Sequence, residues 1–273
     1  MSYRRGGLVT EALNVAKASL SMPRGIPRRG TDPVGHLFAA KSAPLLRSQP
    51  VVLLHGFLQT ASSLDTLALS LSEDGFDCYS YNYKTLGAGV ERAAEALSAA
   101  LITVADSHGS AKVYVVAHSM GGLVARAALK DPEVASRVAM VVTLGTPHSG
   151  TPLALFASKL VPGLSRVVRE FMPGSDILKS LDTPSSCFGV RWVALYSIDD
   201  HVVPNRSGRL DVPAYAATNI EFTGVGHAGL LYNSAVLARV SSVLCHADDK
   251  NVSKTARSLK RVTTQVVPPL KTA

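Results

Sequence analysis

Short apolar runs alternate with helical patterns along the chain from about residue 50. Five runs are predicted to be strands, and three of them consist almost entirely of aliphatic or β-branched residues. Such runs are typical of strands buried on both faces of a parallel sheet. The predicted strands are residues 50–56, 77–83, 112–118, 137–145 and 191–197, and the predicted helices are residues 90–104, 120–130 and 229–244. The pattern therefore predicts an α/β fold, in which helices flank a mostly parallel sheet.

Residues 151–190 interrupt this alternation. They are too many for a connecting loop and carry a helical pattern, so they predict a cap-like helical insertion at one edge of the sheet. The α/β domain around this insertion is expected to span residues 48–246. Before it, an apolar stripe predicts an amphipathic helix in a basic N-terminal arm, residues 1–47. After it, residues 247–273 are polar, basic and aperiodic, so a mobile tail is expected.

Positive charge is concentrated at the two ends of the chain. The formal net charge is +8 at pH 7, and residues 1–47 hold eight basic and two acidic side chains, whereas residues 248–273 hold six and two. Basic arms attach proteins to anionic lipid or to nucleic acid, or they only aid solubility. Aromatic and basic residues do not interleave as on nucleic-acid platforms, so we expect no nucleic-acid partner. Peripheral contact of the arm with an anionic membrane stays a hypothesis.

The start of the chain does not have the pattern of an export signal. Glu11 and Lys17 interrupt its apolar part, whereas a signal peptide needs an unbroken apolar stretch of about 7–15 residues. No run approaches the roughly 20 apolar residues of a membrane span. The three cysteines are an odd set without metal-ligand spacing, which favours a reducing compartment. We therefore expect a cytoplasmic protein without a metal site.

One serine stands where a predicted strand meets a predicted helix. In VVAHSMGGLVAR, residues 115–126, Ala117 lies two positions before Ser119 and Gly121 lies two positions after it. A sharp strand-to-helix turn that exposes a serine nucleophile needs small residues at both positions. The usual pattern is G-x-S-x-G, from which this segment differs only by the methyl group of Ala117. The alternative is a serine that only caps the helix. We favour the role of nucleophile. A serine nucleophile needs a base to take its proton and an acid to orient that base.

Two later loops offer this base and this acid. In sites of this kind the chain order is serine, acid, histidine. His227 follows an apolar strand and precedes a helix, which suits the base. The other histidines after the serine are His148, His201 and His246. Asp200 follows the strand at residues 191–197 and is favoured as the acid over its neighbour, Asp199.

Two backbone N–H groups complete the predicted site. Donors that face the developing negative charge are usually the largest catalytic term in acyl transfer. Met120 directly follows Ser119, so its N–H is the first predicted donor. Phe57 lies in the loop after the first core strand and supplies the second. His55, in the same loop, is interpreted as a brace for the backbone.

These segments together resemble the serine lipases and esterases of the α/β-hydrolase superfamily. VVLLHGF, VVAHSMGGLVAR, VTLGTPHSGT and GVGHAGLLYNSAV are similar to the corresponding segments of small bacterial triacylglycerol lipases, and the likeness covers roughly residues 48–246. The resemblance implies an α/β-hydrolase fold and no metal or organic cofactor. The roles it implies are nucleophile for Ser119, acid for Asp200, base for His227 and oxyanion donors for Phe57 and Met120. The insertion at 151–190 and both basic ends depart from the smallest of these lipases.

Apolar residues near the predicted site indicate the substrate. Leu153 and Phe156 follow one strand, and Leu230 follows His227. They either line a groove for a fatty-acyl chain or bury the insertion against the sheet. We expect the groove, and hence hydrolysis of lipid or fatty-acyl esters. The same residues would serve a thioesterase, an amidase or an acyltransferase, and a non-catalytic binding protein is the alternative from another class.

Overall fold

A seven-stranded sheet forms the centre of the structure, a computed structural model that describes residues 35–40, 47, 49–87, 89–154, 165–184 and 189–247. The strands are β1 (Gly35–Ala40), β2 (Val51–Leu54), β3 (Cys78–Tyr83), β4 (Val113–His118), β5 (Val138–Leu144), β6 (Arg191–Ser197) and β7 (Thr218–Phe222). Their order across the sheet is β1-β3-β2-β4-β5-β6-β7. β1 is antiparallel to β3, and all other neighbours are parallel. The predicted α/β architecture with a mostly parallel sheet is confirmed.

Helices connect these strands and cover both faces of the sheet. The helices are α1 (Asp65–Glu73), α2 (Gly89–Ser107), α3 (Met120–Ala128), α4 (Pro132–Ser136), α5 (Ser165–Glu170), α6 (Asp176–Leu181), α7 (Asn205–Gly208) and α8, which includes residues 234–247. Short 3-10 helices lie at Ala61–Leu64, Pro213–Tyr215 and Ala228–Leu231. Among the residues described, no helix has the length and apolar character needed to span a bilayer.

Side chains of β2 alternate between the two faces of the sheet and show where the core lies. Val52 and Leu54 pack with α2 and α3, whereas Val51 and Leu53 pack with α1 and α8. All four are fully buried. A helical layer therefore covers each face, which is why the strands read as continuous apolar runs.

The structure differs from the predicted pattern at β1 and at the last helix, among other places. β1 belongs to the sheet, although its residues were grouped with the N-terminal arm. The predicted helix at 229–244 is divided, because the side chain of Asn233 accepts the N–H groups of Ala235 and Val236 and begins α8 there, after a 3-10 turn. The predicted amphipathic helix of the arm, the middle of the insertion with Phe156, and the basic tail lie outside the described residues.

The guanidinium of Arg126 joins α3 to the insertion and to the loop after β5. Its side chain is fully buried, and its Nη atoms donate to the carbonyl oxygens of His148 and Leu181 at 3.2 and 2.9 Å. It also pairs with Asp182 at 2.9 Å and lies over the ring of Tyr215. Because these carbonyls are buried with it, the charge is satisfied mainly by backbone oxygens.

We predict that Arg126→Met destabilises the protein by about 2–4 kcal/mol, because the buried carbonyl of His148 loses its guanidinium donor and that of Leu181 keeps only the hydroxyl of Tyr215. Arg137→Met is the matched control: Arg137 pairs with Asp106, whose side chain is half exposed, and such pairs contribute only about 0–1 kcal/mol. Denaturant-induced unfolding of both variants measures the two losses. Equal losses would contradict a special role for Arg126.

Candidate active site

Ser119 occupies a tight turn between β4 and α3. Its φ of 52° and ψ of −122° lie in a region that non-glycine residues rarely adopt and that costs energy. Its N–H donates to the carbonyl of Leu144 at 2.9 Å. Its own carbonyl oxygen accepts the hydroxyl of Thr146 at 2.9 Å and the N–H of Gly122 at 3.1 Å. These three hydrogen bonds hold the strained turn in place.

Small residues around the turn are a steric requirement. A Cβ at Gly121 would lie 2.9 Å from both the carbonyl oxygen of His55 and the Cβ of Leu54, and a Cβ at Gly122 would overlap the side chain of Thr146. Ala117, in the position where the usual motif has glycine, is fully buried. Its methyl group therefore fits the core, and the departure from G-x-S-x-G is accommodated.

Asp200 and His227 form a buried hydrogen-bonded pair. Nδ1 of His227 lies 2.7 Å from Oδ2 of Asp200, and both side chains are almost completely buried. The other carboxylate oxygen, Oδ1, accepts the N–H groups of Val202 and Val203 at 2.9 and 2.8 Å. Three hydrogen bonds thus fix the carboxylate, which in turn fixes the orientation of the imidazole.

The alternatives weighed from the sequence lie elsewhere. The exposed carboxylate of Asp199 accepts the N–H of Gly224 at 2.6 Å. His148 is buried with Nε2 3.0 Å from the hydroxyl of Thr143, and burial holds its pKa well below the usual value. His201 is exposed. The geometry therefore brings Asp200, and not Asp199, to His227.

One loop after β5 contacts both the serine turn and the acid–base pair. A Cβ at Gly145 would lie 3.1 Å from Nδ1 of His227 and 3.2 Å from Oδ2 of Asp200. The next residue, Thr146, donates to the carbonyl oxygen of Ser119. Gly145 lies against the Asp200–His227 pair, and its neighbour Thr146 binds the Ser119 turn. The structure therefore brings all three predicted triad residues into one neighbourhood.

An apolar pocket with a volume of about 110 Å³ opens beside Ser119. Its lining includes Phe57, Met120, Leu153, Val168, Phe171 and Val203. Leu153, predicted as a substrate contact, is among these lining residues. Sequence reasoning missed Val168, Phe171 and Val203, because they are ordinary apolar residues whose position depends on how the insertion and the acid loop fold.

The predicted substrate contact of Leu230 is corrected by the structure. Leu230 is fully buried in the core on the α1 and α8 side of the sheet, and it is not among the described residues that line the pocket. Its Cδ1 lies within 2.7 Å of where a Cβ at Gly145 would stand. Leu230 therefore packs behind the Asp200–His227 pair, because the 3-10 turn directs it into the core.

The N–H groups of the loop after β2 differ in whether they have an acceptor. The N–H groups of Gly56 and Leu58 donate to the side chains of Gln59 and Thr85 at 2.7 and 3.2 Å. Within the described part of the chain, the N–H of Phe57 between them has no acceptor. Since Phe57 lines the pocket, this donor is available to a bound group.

Met120 provides a second N–H group of the same kind. It is the first residue of α3, where helix N–H groups have no partner inside the helix. Among the described residues its N–H has no acceptor either. Phe57, Ser119 and Met120 line the same pocket. The two predicted oxyanion donors and the serine are therefore neighbours.

His55 fastens the loop that carries Phe57. Its Nδ1–H donates to the carbonyl of Gly56 at 3.0 Å, and its Nε2 accepts the N–H of Tyr83 at 3.3 Å. The Tyr83 hydroxyl donates to the carbonyl of His55 at 2.7 Å, and the two rings stack with centroids 4.4 Å apart. Burial lowers the pKa of His55 to about 4. A neutral ring thus serves as a structural brace.

No metal site accompanies this arrangement in the described residues: no group of three or more His, Cys, Asp or Glu side chains there could hold an ion. Residues 49–175 match a family described as alpha/beta hydrolase fold. The nucleophile turn and the Phe57 loop fall inside that match, whereas Asp200 and His227 lie beyond it.

Solved structures share the architecture. The mature Bacillus licheniformis lipase BlEst2 has a TM-score of 0.64 at 20% identity, covering 76% of this chain and 98% of its own. A Paleococcus ferrophilus monoacylglycerol lipase has a TM-score of 0.54 at 19% identity, covering 76% and 99%. The Bacillus subtilis carboxylesterase CesB has a TM-score of 0.53 at 15% identity, covering 88% and 98%. At such identities these likenesses establish the fold.

We predict that His55 makes the protein less stable as the pH falls. Its pKa is about 4 in the folded protein and about 6.5 in an unfolded chain, so between these values the unfolded state binds more protons and stability falls as the pH is lowered. Replacing His55 by Asn should reduce the loss in unfolding free energy between pH 7 and pH 4.5 by about 2 kcal/mol. Urea unfolding at both pH values measures it, with replacement of the exposed His201 as the control. An unchanged pH dependence in the His55 variant would contradict the assignment.

Proposed function

Because this chain has the α/β-hydrolase fold, we propose that it is a serine hydrolase of carboxylic esters, with Ser119 as the nucleophile. The observation that carries the proposal is the buried Asp200–His227 pair against the loop that also binds the Ser119 turn. An imidazole whose Nδ1–H donates to a carboxylate is held in the tautomer and orientation of a general base. The lipases and the carboxylesterase that share the fold support the same chemistry.

The reaction proceeds by acyl transfer through these groups. Nε2 of His227 takes the hydroxyl proton while the Ser119 oxygen attacks the ester carbonyl. The negative charge that forms on the carbonyl oxygen is met by the N–H groups of Phe57 and Met120. His227 then gives its proton to the leaving alcohol, which departs from the acyl-enzyme. Water, deprotonated by His227, releases the acid and restores the serine.

The pocket beside the serine suits a hydrocarbon chain, so the proposed substrate is a lipid or fatty-acyl ester. Its walls include Leu153, Val168 and Phe171, and burial of an acyl chain against them gains about 0.8 kcal/mol per methylene. A polar acyl group would lose its hydration there without finding partners. Of the three fold relatives described above, two carry the name lipase, one of them for monoacylglycerol, which supports the same substrate class.

We predict that Ser119→Ala lowers the hydrolysis of a chromogenic ester by at least about 10⁴-fold. Asp200→Asn should cost about 10⁴-fold, because the amide favours the wrong tautomer of His227. The matched control is Asp199→Asn, whose carboxylate contacts Gly224 and which should keep near-wild-type activity. A fluorophosphonate probe should label the wild type and not Ser119→Ala. Full activity in Ser119→Ala, or a wild type that is never labelled, would refute the proposal; the second result would indicate a binding protein.

We further predict that kcat/KM rises with acyl length from acetyl to medium-chain esters, by up to about fourfold for each methylene that enters the pocket. The measurement is a series of p-nitrophenyl esters, with Val168→Phe as the comparison. The larger side chain should flatten the rise while sparing the acetyl ester. Activity confined to acetyl esters in the wild type would exclude the acyl pocket.

A further inference from the structure

One buried ring, that of His118, contacts two other loops of the candidate site. His118 directly precedes Ser119, and its side chain is almost completely buried. Nδ1 lies 3.0 Å from Oε1 of Gln59, in the loop that carries Phe57. Nε2 lies 3.2 Å from the backbone carbonyl oxygen of His227. The side chain thus joins the oxyanion loop, the nucleophile turn and the base loop.

This ring faces an oxygen atom at each nitrogen, yet it is held neutral. Burial, and then the neighbouring His227, lower the pKa of His118 well below its usual value. A neutral imidazole carries a single N–H, so it can donate to only one of the two oxygens. Oε1 of Gln59 already accepts the N–H of Gly56 at 2.7 Å, whereas the carbonyl of His227 belongs to the backbone and cannot turn away. With the proton on Nε2, the ring donates to the carbonyl of His227, and Nδ1 stays unprotonated beside Oε1 of Gln59.

Building on the proposed ester hydrolysis, we propose that His118 is a positioning residue, whose Nε2–H donates to the carbonyl of His227 and holds that base against Ser119. The bond fixes the backbone of His227 from one side, while Asp200 fixes its ring from the other. A displacement of about 1 Å in a catalytic group can cost on the order of a hundredfold in rate, so this restraint bears on kcat.

The neutrality of His118 matters as much as its donor. The ring centroids of His118 and His227 are 4.8 Å apart. During the reaction His227 becomes a cation, and a second positive charge at this distance in a buried site would oppose it. A lysine or arginine would supply a donor together with that charge, whereas a buried imidazole supplies the donor alone.

A matched pair of substitutions separates this role from plain packing. The amide nitrogen of His118→Gln reaches toward the position of Nε2, and that of His118→Asn reaches toward the position of Nδ1. We expect His118→Gln to keep most of the wild-type kcat. His118→Asn should lose about tenfold to a hundredfold in kcat with little change in KM, since the base is displaced and the pocket is intact. Thermal unfolding of both variants checks that they fold equally well.

The two variants also give the results that would overturn the proposal. Equal losses of kcat in His118→Gln and His118→Asn would assign the effect to ring packing, and wild-type kcat in His118→Asn would remove the positioning role. If the proposed ester hydrolysis is itself wrong, the result is distinguishable from these. The wild type would then neither hydrolyse esters nor react with the fluorophosphonate.

A measurement on the unsubstituted protein does not depend on how the variants fold. Ring ¹⁵N chemical shifts of labelled histidines report which nitrogen carries the proton. For His118 we expect a neutral ring protonated on Nε2 from pH 6 to pH 8. A proton on Nδ1, or a charged ring in that range, would overturn the assignment even if the enzyme proved active.

Discussion

The parallel alignment of β2 to β7 is the constraint on which the rest of the structure depends. Parallel strands end at the same edge, so loops that are far apart in the chain must meet there. The end of β5 and the loop after it show the result. The carbonyl of Leu144 accepts the N–H of Ser119, Gly145 leaves room for the pair of Asp200 and His227, and Thr146 binds the serine turn. The apolar runs that bury the central strands on both faces therefore also bring the loops of the site together.

Burial governs the charges around this edge. His55, His118 and His148 are all buried, and burial lowers the pKa of each. As neutral rings, each offers one N–H donor and one acceptor to its neighbours. None of them adds a positive charge near the candidate site. His227 is equally buried, and the carboxylate of Asp200 lies against its Nδ1. In the proposed mechanism the one imidazole that must become charged is the one with a buried counter-ion.

The sequence was informative where the signal is local. The apolar strands and the turn around Ser119 depend on neighbouring residues, so they could be predicted. The position of Leu230 could not, because adjacency to His227 does not tell which way a 3-10 turn directs the next side chains. β1 was missed because six residues inside a basic arm give a weak strand pattern. Gln59 and His118 lie 59 positions apart, and only the packed sheet reveals their contact.

The ring of Phe57 leans edge-on against Phe171, with centroids 5.6 Å apart. Phe57 supplies the backbone N–H proposed to meet the oxyanion, and Phe171 follows α5 in the helical insertion and forms part of the pocket wall. This aromatic contact therefore links the shape of the pocket to the position of the proposed oxyanion donor. In the proposed mechanism, substitutions at this contact that change which acids are accepted would also change transition-state stabilisation, so selectivity and turnover are expected to evolve together.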